Sequence, residues 1–323
     1  MTTYYLATRD GLYRHSSGDE ALSEETEPTR VAGPTGVVSV TTHDGTVYCL
    51  DADGVVRLSW DGGWESLGVP TDDPTHLAAD EAGVVVGGRD PLAVHTAPDG
   101  DDWETTELPS LAPARRWEDG EPVVVSEAGG RVSDTVRTDE GLAVAVERTG
   151  VFHRRDGAWT PHHRGLAEDV HDLRRTPNGW LAATGQGLYA ADGVGEPWRR
   201  RDTGQLFQGY TYFHEFARHD GELYTSGGCH VPGGWPSADA EALVFRLDDG
   251  RNALQAAATP DTTEYVWALT NADGTLYAGT ATADVDAPNR ASGVVYRRDG
   301  RAWTTVCYVP SPVVSVAVCD SEP

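Results

Sequence analysis

The sequence predicts an all-β fold, a seven-bladed β-propeller of four-stranded antiparallel blades whose ring is closed by the C-terminal strand. A unit of four short strand-like runs, separated by Gly and Asp turns, recurs along the whole chain. A Trp recurs where the fourth run begins, and the last apolar run has no partners of its own. Units of about 46 residues match the period of propeller blades. Four-stranded units that cannot bury both faces alone stack radially into a propeller.

The blades are placed by their Trp landmarks, which follow Asp-Gly turns or close variants at Trp64, Trp103, Trp159, Trp198 and Trp303. The stretch between Trp198 and Trp303 is long enough for two enlarged blades, and the missing landmark falls near Leu254. We therefore expect one domain, 1–323, with blade 1 at 2–30 plus 312–319, blade 2 at 36–70, blade 3 at 74–110, blade 4 at 131–165, blade 5 at 166–204, blade 6 at 208–259 and blade 7 at 262–310.

The first blade lacks an inner strand, because the chain begins with the run YYLATRDG that is the second strand of other units. The run PVVSVAV at 312–318 supplies the missing strand. Closure of this kind removes exposed sheet edges. We therefore expect the C-terminal strand to complete blade 1.

The composition excludes several classes of protein. Ten Trp and twelve Tyr give the chain enough to bury, so it is not disordered. No apolar run approaches the roughly 20 residues that span a bilayer, so no membrane partner is expected. A formal net charge of -26 repels phosphates, so no nucleic-acid partner is expected.

The acidic excess is spread along the whole chain, and all 25 basic residues are Arg. This pattern resembles haloarchaeal cytoplasmic proteins, in which molar salt shortens the Debye length to about 3 Å and screens self-repulsion. A basic partner is the alternative explanation. Four Cys lie far apart without metal-site spacing, and the N-terminus shows no export signal. We expect a cytoplasmic monomer.

Several repeats resemble those of a known superfamily. The turns SWDGGW, PDGDDW, RDGAW and RDGRAW resemble degenerate Asp-boxes, and LYAGT and LAATGQGLYAADG resemble BNR and sialidase-like repeats of WD40/YVTN/BNR-type propellers. The resemblance implies that Asp61, Asp156 and Asp299 lie in structural turns. It implies no single activity, because this superfamily holds glycosidases, lyases, receptors and assembly factors.

The longest loops are all expected on one face, the top face, where second strands connect to third strands and blades connect to one another. They are an insert at 111–131 with Arg115, Arg116 and Trp117, the crossing QLFQGYTYFHEF, a loop at 227–241 and a loop at 281–292. Loops longer than tight turns often bind ligands.

Candidate catalytic or metal-binding residues come from aligning the inner strands on apolar anchors. The alignment puts Asp134, His171, His214 and Trp267 in one column, with Asp172 and Glu215 in the next. Asp134, His171 and His214 could hold a divalent metal at the channel mouth, and His171, His214 and Glu215 could act as acid or base. Alternatively these side chains tie blades together through hydrogen bonds.

Candidate ligand-binding residues form three further sets. Arg9, Arg89, Arg148 and Arg290 suit a carboxylate or phosphate, although Arg must fill every basic surface role here. The aromatic residues Tyr210, Tyr212, Phe213, Trp235 and Trp267 suit a sugar or peptide, or pack the core. The pair Cys229-His230 suits a nucleophile, although neighbours in an extended loop point apart.

These patterns favour a binding module that engages an unknown small molecule or protein through its top face without catalysis. The competing hypothesis is a sialidase-like or lyase-type enzyme acting on an acidic or carbohydrate substrate at the channel mouth. Sialidases need six blades and a Tyr/Glu nucleophile pair, and the sequence does not place that pair.

Overall fold

The structure is a computed structural model that describes a defined set of residues. These are 2–8, 10–17, 27–51, 53–58, 63–89, 92–98, 102–109, 114–118, 121–126, 130–166, 169–201, 210–230, 242–248, 253–256, 265–272, 274–281 and 292–319. Over these ranges the chain forms 30 strands and no helix. No helix in this part of the chain is therefore long and apolar enough to cross a membrane.

The strands are numbered in chain order. In the first half they are β1 Thr2–Thr8, β2 Gly11–Ser17, β3 Thr29–Arg30, β4 Ser39–His43, β5 Thr46–Asp51, β6 Gly54–Leu58, β7 Trp64–Ser66, β8 Pro74–Asp80, β9 Gly83–Gly88, β10 Ala93–Ala97, β11 Glu104–Glu107, β12 Ala114–Glu118, β13 Glu121–Ser126, β14 Val132–Thr138, β15 Gly141–Val146, β16 Gly150–Arg155 and β17 Ala158–Pro161.

The second half continues the series. Its strands are β18 Val170–Thr176, β19 Gly179–Thr184, β20 Gly187–Ala191, β21 Arg199–Arg200, β22 Tyr210–His219, β23 Glu222–His230, β24 Ala242–Asp248, β25 Ala253–Ala256, β26 Tyr265–Ala272, β27 Thr275–Ala281, β28 Gly293–Asp299, β29 Ala302–Val309 and β30 Val313–Cys319.

These strands form seven four-stranded antiparallel sheets, which confirms the seven-bladed β-propeller. In strand order the sheets are β3-β2-β1-β30, β4-β5-β6-β7, β8-β9-β10-β11, β14-β15-β16-β17, β18-β19-β20-β21, β22-β23-β24-β25 and β26-β27-β28-β29. The insert expected at 111–131 contains a separate hairpin of β12 and β13. The described chain divides into two compact units, one of Met1–Leu67 with Arg201–Pro323 and one of Gly68–Arg200.

The C-terminal strand completes the first sheet, as the sequence predicts. β30 pairs with β1 in antiparallel register, so that Val316 lies opposite Leu6. Both side chains are buried, in one cluster with Tyr4 and Val313. Burial of aliphatic side chains of this size contributes about 1.5–3 kcal/mol each. The last strand is therefore part of the core of its unit.

The turn residues act as the Asp-Gly pattern predicts where they are described. Asp156 and Gly157 both have positive φ (51° and 79°) and join β16 to β17. A two-residue turn of this type needs positive φ at both positions, which suits Asp-Gly. Asp299 ends β28 directly before the turn of Gly300 and Arg301, and Asp61 lies outside the described residues. The fourth strand of blade 6, β25, includes Leu254, where the sequence lacks its Trp.

Candidate functional site

A one-residue β-bulge interrupts the inner strand of several blades at an equivalent position in the register. In β14 Ser133 is the extra residue, and in β18 it is His171. In β22 the bulge spans His214 and Glu215, and in β26 it lies at Trp267. Bulges bend a strand and re-aim side chains, and they are frequent next to active sites. The bulges therefore decide where the candidate side chains of these strands point.

The registers correct the sequence alignment by one position in blade 4. Leu173 and Leu269 each lie three residues before the last paired residue of their hairpin. In blade 4 that position belongs to Thr135, not Val136, so Thr135 is the equivalent anchor. Asp134 therefore belongs in the column of Asp172 and Glu215, and Ser133 takes its place beside His171. The sequence alignment chose Val136 because an apolar valine is more typical of a core anchor than Thr135 is.

The residue directly before each anchor latches one blade to the next. The backbone N–H of Leu173 donates to Asp134 Oδ2 at 2.7 Å, and that of Leu269 donates to Glu215 Oε2 at 2.6 Å. At the same level in β30, Ser315 Oγ accepts from the Val40 N–H at 3.4 Å. Each pair joins neighbouring inner strands. Asp134 and Glu215 thus have structural roles in the described geometry.

Asp134 lies in a half-buried group of polar side chains within the unit 68–200. Burial raises its pKa to about 6, although hydrogen bonds from Leu173 N–H and with Asp172, and the charge of Arg174, act in the opposite direction. His76 Nε2 lies 3.6 Å from Asp134 Oδ1, and burial lowers the pKa of His76 to about 4. At neutral pH a neutral His therefore lies beside an ionised carboxylate that already accepts a hydrogen bond from the backbone of the next blade.

The aromatic candidates of blades 6 and 7 come together within the other unit. The His214 ring lies 4.6 Å from the Tyr212 ring and 4.3 Å from the Trp267 ring, measured between centroids. His214 is 8% exposed, and Tyr212 and Trp267 are half-buried. Tyr265 backs the group at 6.1 Å from Trp267. We call Tyr212, His214 and Trp267 the aromatic cluster.

The local backbone explains why these rings meet. Tyr212 and His214 lie two apart on β22 and would share a face of a regular strand. The bulge at His214 brings its ring against Trp267, itself the bulged residue of the neighbouring inner strand. Two facing bulges therefore assemble the cluster, whose outer two rings retain exposed surface.

A second group of candidates forms in blades 4 and 5 of the unit 68–200. His171 Nε2 lies 3.5 Å from Asp169 Oδ2. Burial by itself raises the pKa of Asp169, but the hydrogen bond and charge of His171, with the charges of Arg131 and Arg148, lower it overall. Both arginines also pair with Glu147. The group is therefore an Asp–His pair beside two arginines whose positive charges are largely offset by Asp169 and Glu147.

The remaining arginine candidates do not gather into a cluster in the described residues. Arg89 Nη1 pairs with Asp73 Oδ2 at 3.2 Å, and Arg148 occupies a positive-φ turn position (61°) beside Glu147. Arg9, Arg290 and Trp235 lie outside the described residues. Cys229 and His230 end β23, and nothing is described of their side chains.

The metal expectation finds no support in this part of the chain. Across the described ranges, no three His, Cys, Asp or Glu side chains form a group that could hold a metal ion. Asp134, His171 and His214 are all within those ranges and are not such a group. The carboxylate of Asp134 is instead turned to the backbone of the next blade.

A buried histidine pair that the sequence interpretation missed links blades 4 and 5. His162 Nε2–H donates to the Glu196 carbonyl at 2.9 Å, so its Nδ1 accepts from His153 Nε2–H, also at 2.9 Å. The Trp198 indole donates to the His162 carbonyl. Burial and the neighbouring charges of His162 and Arg175 lower the pKa of His153 to about 4. The string PHHRG carried the only signal, and nothing in it indicated burial.

Comparisons with known proteins agree on the fold. No family model matches the sequence, and no curated protein matches it significantly. The structure is similar to the WD40 β-propeller domain of Doa1, with TM-score 0.56, 14% identity, and 98% of this chain and 90% of that chain covered. It is similar to the Pseudomonas aeruginosa periplasmic gluconolactonase PpgL, with TM-score 0.61, 14% identity and 99% of both chains covered.

A third similarity is to the extracellular domain of the hybrid two component system BT4673 from B. thetaiotaomicron. Here the TM-score is 0.55 and the identity 12%, over 93% of this chain and 34% of that chain. Identities this low concern the fold alone. The chain is a β-propeller, a fold that serves binding proteins and enzymes alike.

Proposed function

We propose that this protein is a ligand-binding propeller that uses the aromatic cluster to hold a carbohydrate. The observation that carries the proposal is the contact of Tyr212, His214 and Trp267 at two facing bulges. Ring faces cover the apolar C–H face of a sugar, while the phenol edge of Tyr212 hydrogen-bonds a hydroxyl group of the sugar. His214, held between the other two rings, fixes their separation.

The absence of catalysis is part of the proposal and rests on two of the sequence-derived candidates. Asp134 and Glu215 carry the carboxylates expected to act as metal ligand or base, and both accept hydrogen bonds from backbone N–H groups of the next blade. A carboxylate committed to a buried donor exchanges protons with substrate poorly, because movement leaves that donor unsatisfied.

Calorimetric titration of the purified protein with glucose, galactose, glucuronate and gluconate tests the carbohydrate site. Saturable binding of one or more sugars is expected. Trp267→Ala and Tyr212→Ala should each weaken it by about tenfold or more, since an aromatic contact is worth about 1.4 kcal/mol or more. Tyr308→Ala, which removes an exposed ring on the outer strand β29, is the matched control. Binding that is equal in all three variants would contradict the proposal.

A second candidate function follows from the Asp169–His171 pair. A carboxylate at 3.5 Å orients the imidazole, as a general base requires. Arg131 and Arg148 lie near enough to lower the pKa of Asp169, and a substrate carboxylate that displaces Glu147 from them would meet positive charge there. This arrangement suits a lyase that removes a proton next to a carboxylate.

Proton exchange separates the two candidates. Gluconate and glucuronate are incubated with the protein in D₂O and followed by NMR. The binding proposal predicts no enzyme-dependent deuterium incorporation at carbon. Incorporation that is lost in His171→Asn and retained in His163→Asn would favour the enzyme instead.

We also propose that the protein is a cytoplasmic protein of a salt-loving organism and that its turns derive from Asp-boxes. The net charge of -26 without a single Lys supports the salt adaptation, and the buried thiols of Cys49, Cys307 and Cys319, which form no disulfide within the described residues, suit a reducing compartment. A rise of the unfolding temperature with KCl up to about 3 M is expected, because salt screens the self-repulsion. Maximal stability at low salt would contradict it.

A further inference from the structure

The outermost strand of blade 7 is unusually long. β29 spans eight residues. The outer strands of the other six blades, as described, have two to four residues each. The outer strand of a sheet presents N–H and C=O groups that can pair with another chain. Blade 7 therefore offers the longest such row in the described chain.

This edge lacks the residues that normally protect a sheet edge. Its sequence, AWTTVCYV, contains no charged residue and no Pro. By contrast β11 is ETTE, β17 ends at Pro161, and β21 consists of two Arg. Charges, Pro, short length and β-bulges are the devices that block strand addition, and of these β29 carries only a bulge, between Thr305 and Cys307. Within the described residues no strand pairs with the outer edge of β29.

The strand is also held rigidly while presenting one large exposed ring. Val306, Cys307 and Val309 are buried in the same cluster as Tyr4 and Val316, so the C-terminal half of β29 is anchored to the core. Tyr308 lies between them and is 62% exposed. A rigid strand loses little conformational entropy when it binds, and an exposed Tyr is a typical anchor for a partner.

The local charge indicates the kind of partner. The hairpin of β28 and β29, residues 293–309, carries Arg297, Arg298 and Arg301 against Asp299, a net charge of +2 in a chain whose total is -26. In the molar salt proposed above the Debye length is about 3 Å, so an incoming strand senses only the charges that it touches in this hairpin. A second copy pairing through its own β29 would bring the two positive hairpins together, which disfavours self-association.

We propose that the outer edge of β29 is a docking site at which an extended, acidic segment of a partner protein adds as a fifth strand of blade 7. Main-chain hydrogen bonds supply the affinity, as in other cases of strand addition. Arg297 and Arg301 pair with acidic side chains of the segment, and Tyr308 packs against its apolar ones. The site is independent of the aromatic cluster.

Fluorescence anisotropy with a labelled eight-residue peptide of alternating Glu with Val or Thr tests the proposal. The matched probe replaces each Glu by Lys and keeps the strand propensity. The Glu peptide should bind saturably and the Lys peptide should not. Arg297→Glu with Arg301→Glu should weaken binding at least about threefold, given roughly 0.2–1 kcal/mol for each exposed ion pair. Arg199→Glu with Arg200→Glu, on the outer strand β21, is the matched control.

Two proline variants test whether main-chain pairing is involved. Successive residues of a strand point their N–H groups to opposite sides, so one of Thr304→Pro and Thr305→Pro removes an outward donor and leaves the blade intact. The variant that retains the native unfolding temperature should lose the peptide. The proposal is overturned if both peptides bind equally, if the Glu peptide shows no binding up to about 1 mM, or if sedimentation shows a dimer that either proline variant dissociates.

Discussion

The latch between blades 6 and 7 makes a prediction whose size follows from its geometry. Glu215→Ala removes the acceptor of the Leu269 N–H, which lies 2.6 Å from Glu215 Oε2. Leu269 is 3% exposed, so its N–H finds no water in exchange. A buried donor left unsatisfied costs about 1–3 kcal/mol, and the loss of a charged acceptor belongs in the upper half of that range. We expect a loss of about 2 kcal/mol in the free energy of unfolding.

Two further variants give this number its controls. Glu215→Gln retains a carbonyl acceptor and should cost less than half as much as the alanine variant. Ser315→Ala removes the equivalent latch at Val40, where the neutral hydroxyl accepts from the Val40 N–H at 3.4 Å and donates to the Val40 carbonyl at 3.1 Å. A neutral bond contributes about 0.5–1.5 kcal/mol, so the loss of these two bonds should be comparable to the loss in Glu215→Ala.

Thermal unfolding followed by circular dichroism measures these losses. An unfolding entropy of about 2.1 cal/mol/K per residue gives roughly 0.7 kcal/mol/K for a chain of this length, so the alanine variant should unfold about 3 °C lower. The transition must first be shown to be a single cooperative step. Equal unfolding temperatures for Glu215→Ala and the wild type would refute the latch.

Three other variants have predicted outcomes. Because the pKa of His153 is lowered to about 4, the unfolded chain takes up this proton first, and the free energy of unfolding falls as the pH drops from about 6.5 towards 4. Urea titrations at about pH 5 should show a loss of about 2 kcal/mol. His153→Gln should remove this loss. Because the pKa of Asp134 is raised to about 6, ionisation of its carboxyl destabilises the fold as the pH rises. In the same titrations Asp134→Asn should therefore gain stability relative to the wild type between about pH 4 and pH 7. A difference in the free energy of unfolding that stays constant over this range would contradict the prediction. Deletion of 312–323 removes the inner strand of blade 1, so circular dichroism and gel filtration should show an unfolded or aggregated chain, whereas a well-folded product would contradict the closure.

The fold could be predicted because its signals repeat. Strand period, Asp-Gly turns and Trp landmarks agree in most blades, so an error in one is corrected by the others. Even the blade without its Trp was located near Leu254, which lies in β25. The extra hairpin of β12 and β13 was expected only as an insert, because nothing in a single copy of a segment marks it as a pair of strands.

The site could be predicted only as a set of residues, since bulges decide which side chains meet. Tyr212, His214 and Trp267 were all candidates, and their contact depends on bulges that leave no mark in the sequence. The bulge of β14 is also the reason that the alignment placed Asp134 one position off. Without the bulge, the apolar Val136 fits the anchor position of a regular strand better than Thr135 does. The pair of His153 and His162 escaped notice because it depends on burial between blades.

The aromatic cluster is tested most directly by side-chain NMR of the protein labelled at Trp and His, titrated with the sugar that binds best. We predict shifts of the Trp267 indole N–H and of the His214 ring that saturate together with the calorimetric binding curve, while His171 stays unchanged. Shifts of His171 without any response of Trp267 and His214 would contradict the carbohydrate site and place the ligand at the Asp169–His171 pair.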